Sequence, residues 1–541
     1  MSSETDLTSL SSSILETAVH QEDNSTTLVE EKKKKRTLED EQSVVTPLKE
    51  EVLLTSLISK LKLRDSDASN MQGHETSPGD VVDEEEEDTK GYNQQRKPSP
   101  RVLGFGEETT MIVYSSKCML HRTGEHHQEH PDRLKVLCDQ STGGVLRSLK
   151  GLKWIENPEP AKLSDVLRVH DPMYVQHLQN SCTQKKHGHK FDADTVLSGK
   201  DSFDAALLAA GSLITAVDAV ANGACKKVFC AIRPPGHHAG PRGAVTAPSF
   251  GTKPDMCSCG FCLFNNVAIG AAYARHVYGR TNRFEKGRRD TPVLRRVAIV
   301  DFDVHHGNGT EQILLEMKPH EYDLPLPPSW PPMRGKSCRC WLDEKDSEEV
   351  WFGSVHLYAD NFYPLSGKES TKKNIVNVCL SPCGPADQRL RHRLSATKIQ
   401  KCKEQASKEF RERISSQLIP RLREFRPDIV FISAGFDAHH NDFYHFLTTD
   451  DYRWITTELC NVANEFSEGR LISALEGGYQ TKPREDLSKK KKKRRHGTRN
   501  RTKRDETKEE EHEHVVVLSP LAECVEVHVK AMMEGGSNLS S

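Results

Sequence analysis

Asp301, Asp303 and His305 stand at alternate positions in DFDVHHGNG. In extended backbone three such residues project from one side, so a carboxylate and an imidazole can hold one metal ion together. A further acid, Asp437, follows the apolar run DIVFISAG and completes an Asp, His, Asp set. Three protein ligands leave a coordination position open, which marks a catalytic zinc site rather than a structural one. Taken singly, each carboxylate could be a helix cap or a solvated loop group. As a set placed after apolar runs they point to a site.

Two further segments supply groups for proton transfer and charge stabilisation. His237 and His238 are adjacent in the Pro- and Gly-rich turn RPPGHHAG. Histidine is the side chain best matched to proton transfer near neutral pH, and a rigid turn can aim both rings at a metal-activated water. Tyr479 closes the segment Glu476-Gly477-Gly478-Tyr479. Paired glycines allow close backbone approach, and the phenol is a candidate donor to a developing oxyanion.

Something must carry these segments to one place, and the hydrophobic pattern says what. The runs MIVYSS, KVFCAI, RVAIVDF, FGSVHLY, NIVNVCL, DIVFISAG and RLISALEGG are short, rich in β-branched residues and end in polar or Gly-rich residues. Unbroken apolar strands suit a parallel sheet buried on both faces. Helical spacing is predicted over 203–221, 266–278, 403–425 and 452–466, and again in the last apolar stretch, VVVLSPLAECVEVHVKAMM. Alternating strands and helices predict one large three-layer α/β/α domain over about residues 109–535. In such folds ligands bind beyond the carboxyl ends of the strands, where the chemical segments stand. Four stretches without apolar periodicity, near 241–256, 280–291, 318–349 and 482–512, are expected as surface insertions. Residues 1–108 are rich in Ser, Thr, Glu and Lys and read as a disordered tail, with one short amphipathic segment at Glu51–Leu63.

Composition excludes several other classes. The formal charge of the 541 residues is -2, so bulk electrostatics argue for no nucleic-acid partner. No run reaches the ~18 apolar residues of a membrane span, and the first residues lack a secretory pattern. A soluble intracellular protein without a membrane partner is expected. The 15 cysteines are odd in number and scattered through apolar segments, which fits reduced thiols better than a disulfide scaffold. Two basic runs, Lys32–Arg36 and Lys489–Arg495, suggest nuclear import or local nucleic-acid contact, with exchange to the cytoplasm left open.

RPPGHHAG, GFCLFNN, DFDVHHGNGT, SAGFDAHHND and EGGY, in this order, resemble the zinc-dependent histone deacetylases, and their spelling is similar to the class II branch. The resemblance covers about Met111 to Tyr479 and the last helix. It implies the arginase/deacetylase sandwich with about eight parallel strands, and removal of acetyl groups from lysine side chains of histones or other proteins within chromatin repression, with a corepressor complex as possible partner. It makes Asp303, His305 and Asp437 the ligands of one zinc ion, His238 the general base and then acid, and His237 its electrostatic partner, with Asp301 and Asn308 behind the two imidazoles. Tyr479 becomes the polariser of the acetyl carbonyl. Gly260 and Phe261 in GFC and Tyr363 in NFYP match the walls of the acyl-lysine channel. Asp194 is the candidate for contact with the substrate backbone, and Arg133 matches an arginine near the acetate exit. Asp301, Asp303, His305 and Ser354 would also bind a structural potassium ion.

Alternatives within and beyond the family are weighed on single positions. A two-metal amidino hydrolase needs a carboxylate two residues past the ligand histidine, where this chain has Gly307. A polyamine deacetylase carries an acidic gatekeeper where Phe443 and Tyr444 stand, so a peptide-like substrate is favoured. A scaffold without activity would lack a ligand or the tyrosine, and every such position is filled. Two Cys-x-Cys pairs, Cys257 with Cys259 and Cys338 with Cys340, raise the further possibility of a four-thiolate structural zinc site joining two insertions.

Overall fold

The computed structural model describes residues 109–184, 188–245, 258–280, 292–323, 331–384, 393–483 and 517–535. The expected tail, the Glu51–Leu63 segment, both basic runs and Cys257 lie outside these residues.

The seven apolar runs all form strands. With two more they make one sheet of nine: β1 Thr110–Tyr114, β2 Lys153–Glu156, β3 Lys227–Ala231, β4 Val297–Asp301, β5 Val350–Leu357, β6 Ser370–Lys372, β7 Ile375–Leu380, β8 Ile429–Ala434 and β9 Leu471–Leu475. The spatial order is β6-β7-β5-β4-β8-β9-β3-β1-β2. Eight strands are parallel, and only the edge strand β6 runs antiparallel, against β7.

Side chains alternate across the sheet, and each face buries its own core. Val228, Cys230, Val297, Ile299, Phe431 and Ile472 pack on one side, against helices Lys200–Ala221 and Asn266–Tyr278. Phe229, Ala298, Val300, Val430, Ile432 and Leu471 pack on the other, against Thr449–Phe466 and Pro520–Glu534. Burial on both faces is why these strands are continuously apolar. Helix Lys200–Ala221 is long and apolar enough to cross a membrane, but 83% of its most apolar window is buried inside the fold. Local chemistry sets the helix starts. Asn265 caps Asn266–Tyr278 by accepting from the Ala268 N–H at 3.0 Å, and Thr448 with Asp451 forms a reciprocal capping box for Thr449–Phe466.

The two strands of this sheet that were not anticipated are its edge elements. β2 is half exposed, so its sequence, KWIE, shows neither an apolar run nor clean alternation. The stretch 318–349, expected as a surface insertion, carries structure of its own in its described residues. His320–Asp323 pairs antiparallel with Arg334–Ser337, and a short helix spans Asp346–Glu349. Its anchor is electrostatic. Arg275 is wholly buried and donates to Asp346, and to Glu349 at 2.7 Å, because a buried guanidinium must be paired.

The four-thiolate site is not assembled. Cys338 and Cys340, with Cα atoms 5.4 Å apart, are joined to each other by a disulfide, so two of the four sulfurs are consumed. Cys259 is buried instead against Ala239 and Cys262. The other described cysteines are free thiols.

Candidate active site

The strands that precede the chemical segments, β4, β8, β9 and β3, are consecutive neighbours in the middle of the sheet. Their register is close: Asp301 lies opposite Ser433, Ala434 opposite Leu475, and Ala474 opposite Cys230. Four loops from distant parts of the chain therefore emerge side by side at the carboxyl edge.

The first group they build is a triangle of ligand atoms. His305 Nδ1 lies 3.1 Å from Asp303 Oδ1 and 3.2 Å from Asp437 Oδ2. Ligand atoms around a tetrahedral zinc ion, with bonds of ~2.0 to 2.1 Å, lie about 3.3 Å apart. Asp303 and Asp437 are fully buried, and Asp437 Oδ2 accepts no hydrogen bond. A buried carboxylate oxygen without a donor is costly unless a cation meets it. Burial, and then the neighbouring Asp303 charge, push the Asp437 pKa up. The donor set thus fits a divalent cation of the zinc type. Close approach requires glycine here. A Cβ at Gly435 would fall 2.0 Å from Asp303 Oδ2, and one at Gly477 would fall 2.3 Å from Asp437 Oδ2.

A second group, His237, Cys262 and Glu476, is equally compact. Its acceptors are already used. Glu476 Oε2 accepts from the Gly236 N–H at 2.7 Å, its Oε1 from Ser433 Oγ at 3.2 Å, and His237 Nδ1 faces Asp301. The Asp303, His305 and Asp437 group is therefore the better metal site.

The two histidines are differentiated by what stands behind them. His237 Nδ1–H donates to Asp301 Oδ2 at 2.9 Å. Burial alone would lower its pKa, but the Asp301 and Asp303 carboxylates override this and lift it to about 10. His238 Nδ1–H donates to the neutral Asn308 Oδ1 at 2.7 Å. Burial, with the charges of His237 and His305, holds the His238 pKa well below the usual range. The ring is therefore neutral and its Nε2 carries a lone pair. One histidine is held in its charged form and the other in its neutral form.

Aromatic residues surround these groups. Tyr363 packs edge-on against His238 and His305, with centroids at 4.9 and 5.9 Å, and donates from its hydroxyl to Ser258 O at 2.9 Å. Phe261 stands edge-on to Tyr479 at 5.9 Å. Gly260 must be glycine, since a Cβ there would meet His238 Cδ2 at 2.4 Å. Asp194 stands beside this wall, where its carboxylate accepts from the hydroxyls of Ser258 and Thr195. Ser354 lies opposite Asp301 in register, and its hydroxyl pairs with His356 Nδ1 at 2.9 Å.

Tyr479 is supported from two sides. The Arg133 guanidinium sits 5.1 Å over its ring and donates to Gly478 O at 2.7 Å and to Glu476 O. Asp442 accepts from the backbone N–H of Tyr479 at 2.8 Å and of Gln480 at 3.2 Å. Burial raises the Asp442 pKa to about 7 against these amides, with Asp437 adding to the rise.

Sequence reasoning gave no role to Asp442, to the Glu476 carboxylate or to the buried cluster under Arg133. Asp442 and Glu476 stand inside the quoted motifs, but only the fold shows what they touch. In the cluster, Glu129 binds Arg233 through two 2.7 Å contacts and Arg133 at 3.2 Å, all fully buried. Burial would raise the Glu129 pKa, yet Arg233 and its partners hold it at about 2, below the ordinary 4.5. A depressed carboxylate contributes stability that is complete above its unfolded pKa and lost as pH falls through the folded one. Glu129→Gln is expected to cost about 3 to 5 kcal/mol at neutral pH, because two buried guanidiniums lose their partner. Urea midpoints would show this, with the gap between variant and parent narrowing below about pH 4.5.

Comparison with known proteins agrees with this geometry. Residues 127–491 match the family model described as the histone deacetylase domain. The type-2 histone deacetylase 2 of Dictyostelium discoideum is 30% identical over 407 residues, covering 68% of this chain but 20% of that protein, so this chain spans about a fifth of that relative's length. A probable deacetylase of Archaeoglobus fulgidus is 29% identical over 376 residues, covering 68% of this chain and 81% of that one. Among solved structures, that of the HDA15 HD domain superposes with a TM-score of 0.52 at 24% identity, covering 79% of this chain and 88% of the other, which speaks to the fold alone. With a three-layer fold around a sheet in which eight of nine strands are parallel, a buried metal-ligand triangle and a family match over more than half its length, this chain belongs to the histone deacetylase domain family.

Proposed function

We propose that the chain is a zinc-dependent lysine deacetylase acting on proteins, with histones as the expected substrate. The observation that carries this reading is the juxtaposition of the Asp303, His305 and Asp437 triangle, whose Asp437 Oδ2 has no donor, with a neutral His238. A zinc ion held by these three residues would supply Lewis acidity toward an amide carbonyl and toward the hydrolytic water. The rest of the chemistry belongs to the side chains. His238 Nε2 takes the proton as water attacks and returns it to the departing lysine amine. His237, kept charged by Asp301, offsets negative charge as it develops, and the Tyr479 phenol donates to the developing oxyanion. Phe261 and Tyr363 form apolar walls suited to the lysine methylenes, and Asp194 at the rim is the proposed contact for the substrate backbone. Asp301, Asp303, His305 and Ser354 are the proposed potassium ligands. Nuclear residence, exchange with the cytoplasm and recruitment into a corepressor complex are further proposals. The first two rest on the basic runs and the last on family resemblance.

The test is acetate release from an acetyl-lysine peptide by the full chain. Turnover that a zinc chelator removes and added zinc restores is the expected result. Peptide binding without acetate release would favour an inactive acetyl-lysine scaffold instead.

A further inference from the structure

We infer that Asp442 is a positioning residue for Tyr479, holding the turn that carries the phenol to the loop that carries Asp437. The inference rests on the deacetylase reading above and adds a residue to it.

Tyr479 follows two glycines, which give the turn little stiffness of their own, and Gly478 takes φ +112°, a conformation that glycine adopts readily and other residues rarely. Up to Gly478 the turn is fixed from outside. The Gly477 N–H donates to Asp303 Oδ2 at 2.8 Å, Gly477 O accepts from the Phe436 N–H at 3.1 Å, and Gly478 O accepts from Arg133 Nε at 2.7 Å. At the tyrosine itself the fixing group changes. The N–H groups of Tyr479 and Gln480 both point at one oxygen, Asp442 Oδ2, at 2.8 and 3.2 Å. Two consecutive amides converging on one acceptor fix the orientation of the backbone between them, and with it the direction in which the phenol leaves. The other carboxylate oxygen, Oδ1, accepts from the Phe443 N–H at 2.8 Å in its own loop. Asp442 therefore adds, beside the Phe436 N–H to Gly477 O bond, a second tie between the loop of a proposed metal ligand and the loop of the proposed oxyanion donor, and this tie acts at Tyr479 itself.

Asparagine at this position keeps the shape but offers one acceptor oxygen. It can serve the Tyr479 turn or Phe443, not both. Misplacement by about 1 Å can cost on the order of 100-fold in rate without loss of binding. For Asp442→Asn the expected result is a kcat lower by roughly 10- to 100-fold, a KM within about 2-fold, and unchanged zinc content. The discriminating measurement is a cycle with Tyr479→Phe. A residue that acts by aiming the phenol has nothing to aim once the hydroxyl is gone, so the double variant should be within about 2- to 3-fold of Tyr479→Phe alone. A kcat equal to the parent's, or losses that multiply in the double variant, would overturn the inference.

A second readout does not depend on turnover. In protein with 13C-labelled tyrosine rings, the Tyr479 signal, identified by its loss in Tyr479→Phe, should shift in Asp442→Asn. An unmoved signal in both Asp442→Asn and Asp442→Ala, which offers no acceptor at all, overturns the inference even if the parent proves inactive, in which case the deacetylase reading fails separately. If Asp442→Asn does not fold, Asp442→Glu keeps both acceptors one methylene further out and carries the same comparisons.

Discussion

Asp437→Ala is expected to abolish acetyl-lysine hydrolysis and to remove most bound zinc while leaving the fold intact. The argument starts from what each oxygen does. Asp437 Oδ1 accepts from the Val304 N–H at 3.1 Å, whereas Oδ2 accepts nothing and faces His305 Nδ1 at 3.2 Å. The variant therefore loses one modest hydrogen bond and one proposed metal ligand. Two remaining ligands hold a catalytic zinc poorly, and since even outer partners of metal ligands are worth about 10- to 100-fold in affinity, loss of a ligand should exceed 100-fold. Asp303 and His305 retain each other at 3.1 Å, which limits the damage to the surroundings. A thermal measurement separates the two effects. Chelation should lower the melting temperature of the parent, because zinc binds only the folded state, and should leave that of Asp437→Ala unmoved. One zinc per chain with undiminished turnover in the variant would remove Asp437 from the site.

How much of this site was legible before the fold was known depends on what kind of information each residue carries. Asp303 and His305 stand two apart just past the end of β4, in a bend and not in the extended backbone expected, yet their meeting at 3.1 Å is still local, because the His305 N–H also donates to Asp303 Oδ1 at 2.9 Å. The apolar runs of β4 and β8 are equally local, since burial on both faces leaves no polar alternation to misread. That β4, β8, β9 and β3 are neighbours is not local, because strand order is decided by how helices pack across the sheet. The same limit hid Asp442. An acid in SAGFDAHHND reads as loop polarity until the Tyr479 and Gln480 amides are seen converging on it. Glu129 was hidden for another reason. Its partners Arg133 and Arg233 are 4 and 104 positions away, and only burial turns their charges from surface decoration into a cluster. The described parts of 318–349 hold two short strands and a helix that the sequence pattern did not announce, because the Arg275 that pairs with Glu349 stands on a helix distant in sequence. The four-thiolate idea failed because the nearest partner of Cys338 is Cys340 itself.

Tyr479→Phe is the second large effect, and it isolates chemistry from architecture. Phenylalanine keeps the ring that Phe261 meets edge-on at 5.9 Å and that Arg133 covers at 5.1 Å, so the packing of the turn survives. The backbone N–H bonds to Asp442 survive as well, because they do not involve the side chain. What disappears is one hydroxyl group. Burial, followed by the Asp437 and Asp303 charges, pushes the phenol pKa well above its ordinary 10.0, with Arg133 pulling the other way. The group is therefore protonated throughout the neutral range and can act only as a donor. Loss of one oxyanion donor costs about 100- to 1,000-fold in kcat, and that loss is expected here with KM and zinc content little changed. Because the phenol does not titrate between about pH 6 and 9, the ratio of parent to variant rates should stay constant across that window. A kcat within about 2-fold of the parent's would make Tyr479 a packing residue. A loss confined to KM would mean that the hydroxyl binds substrate and transition state equally, and the oxyanion would then need another donor from the chain.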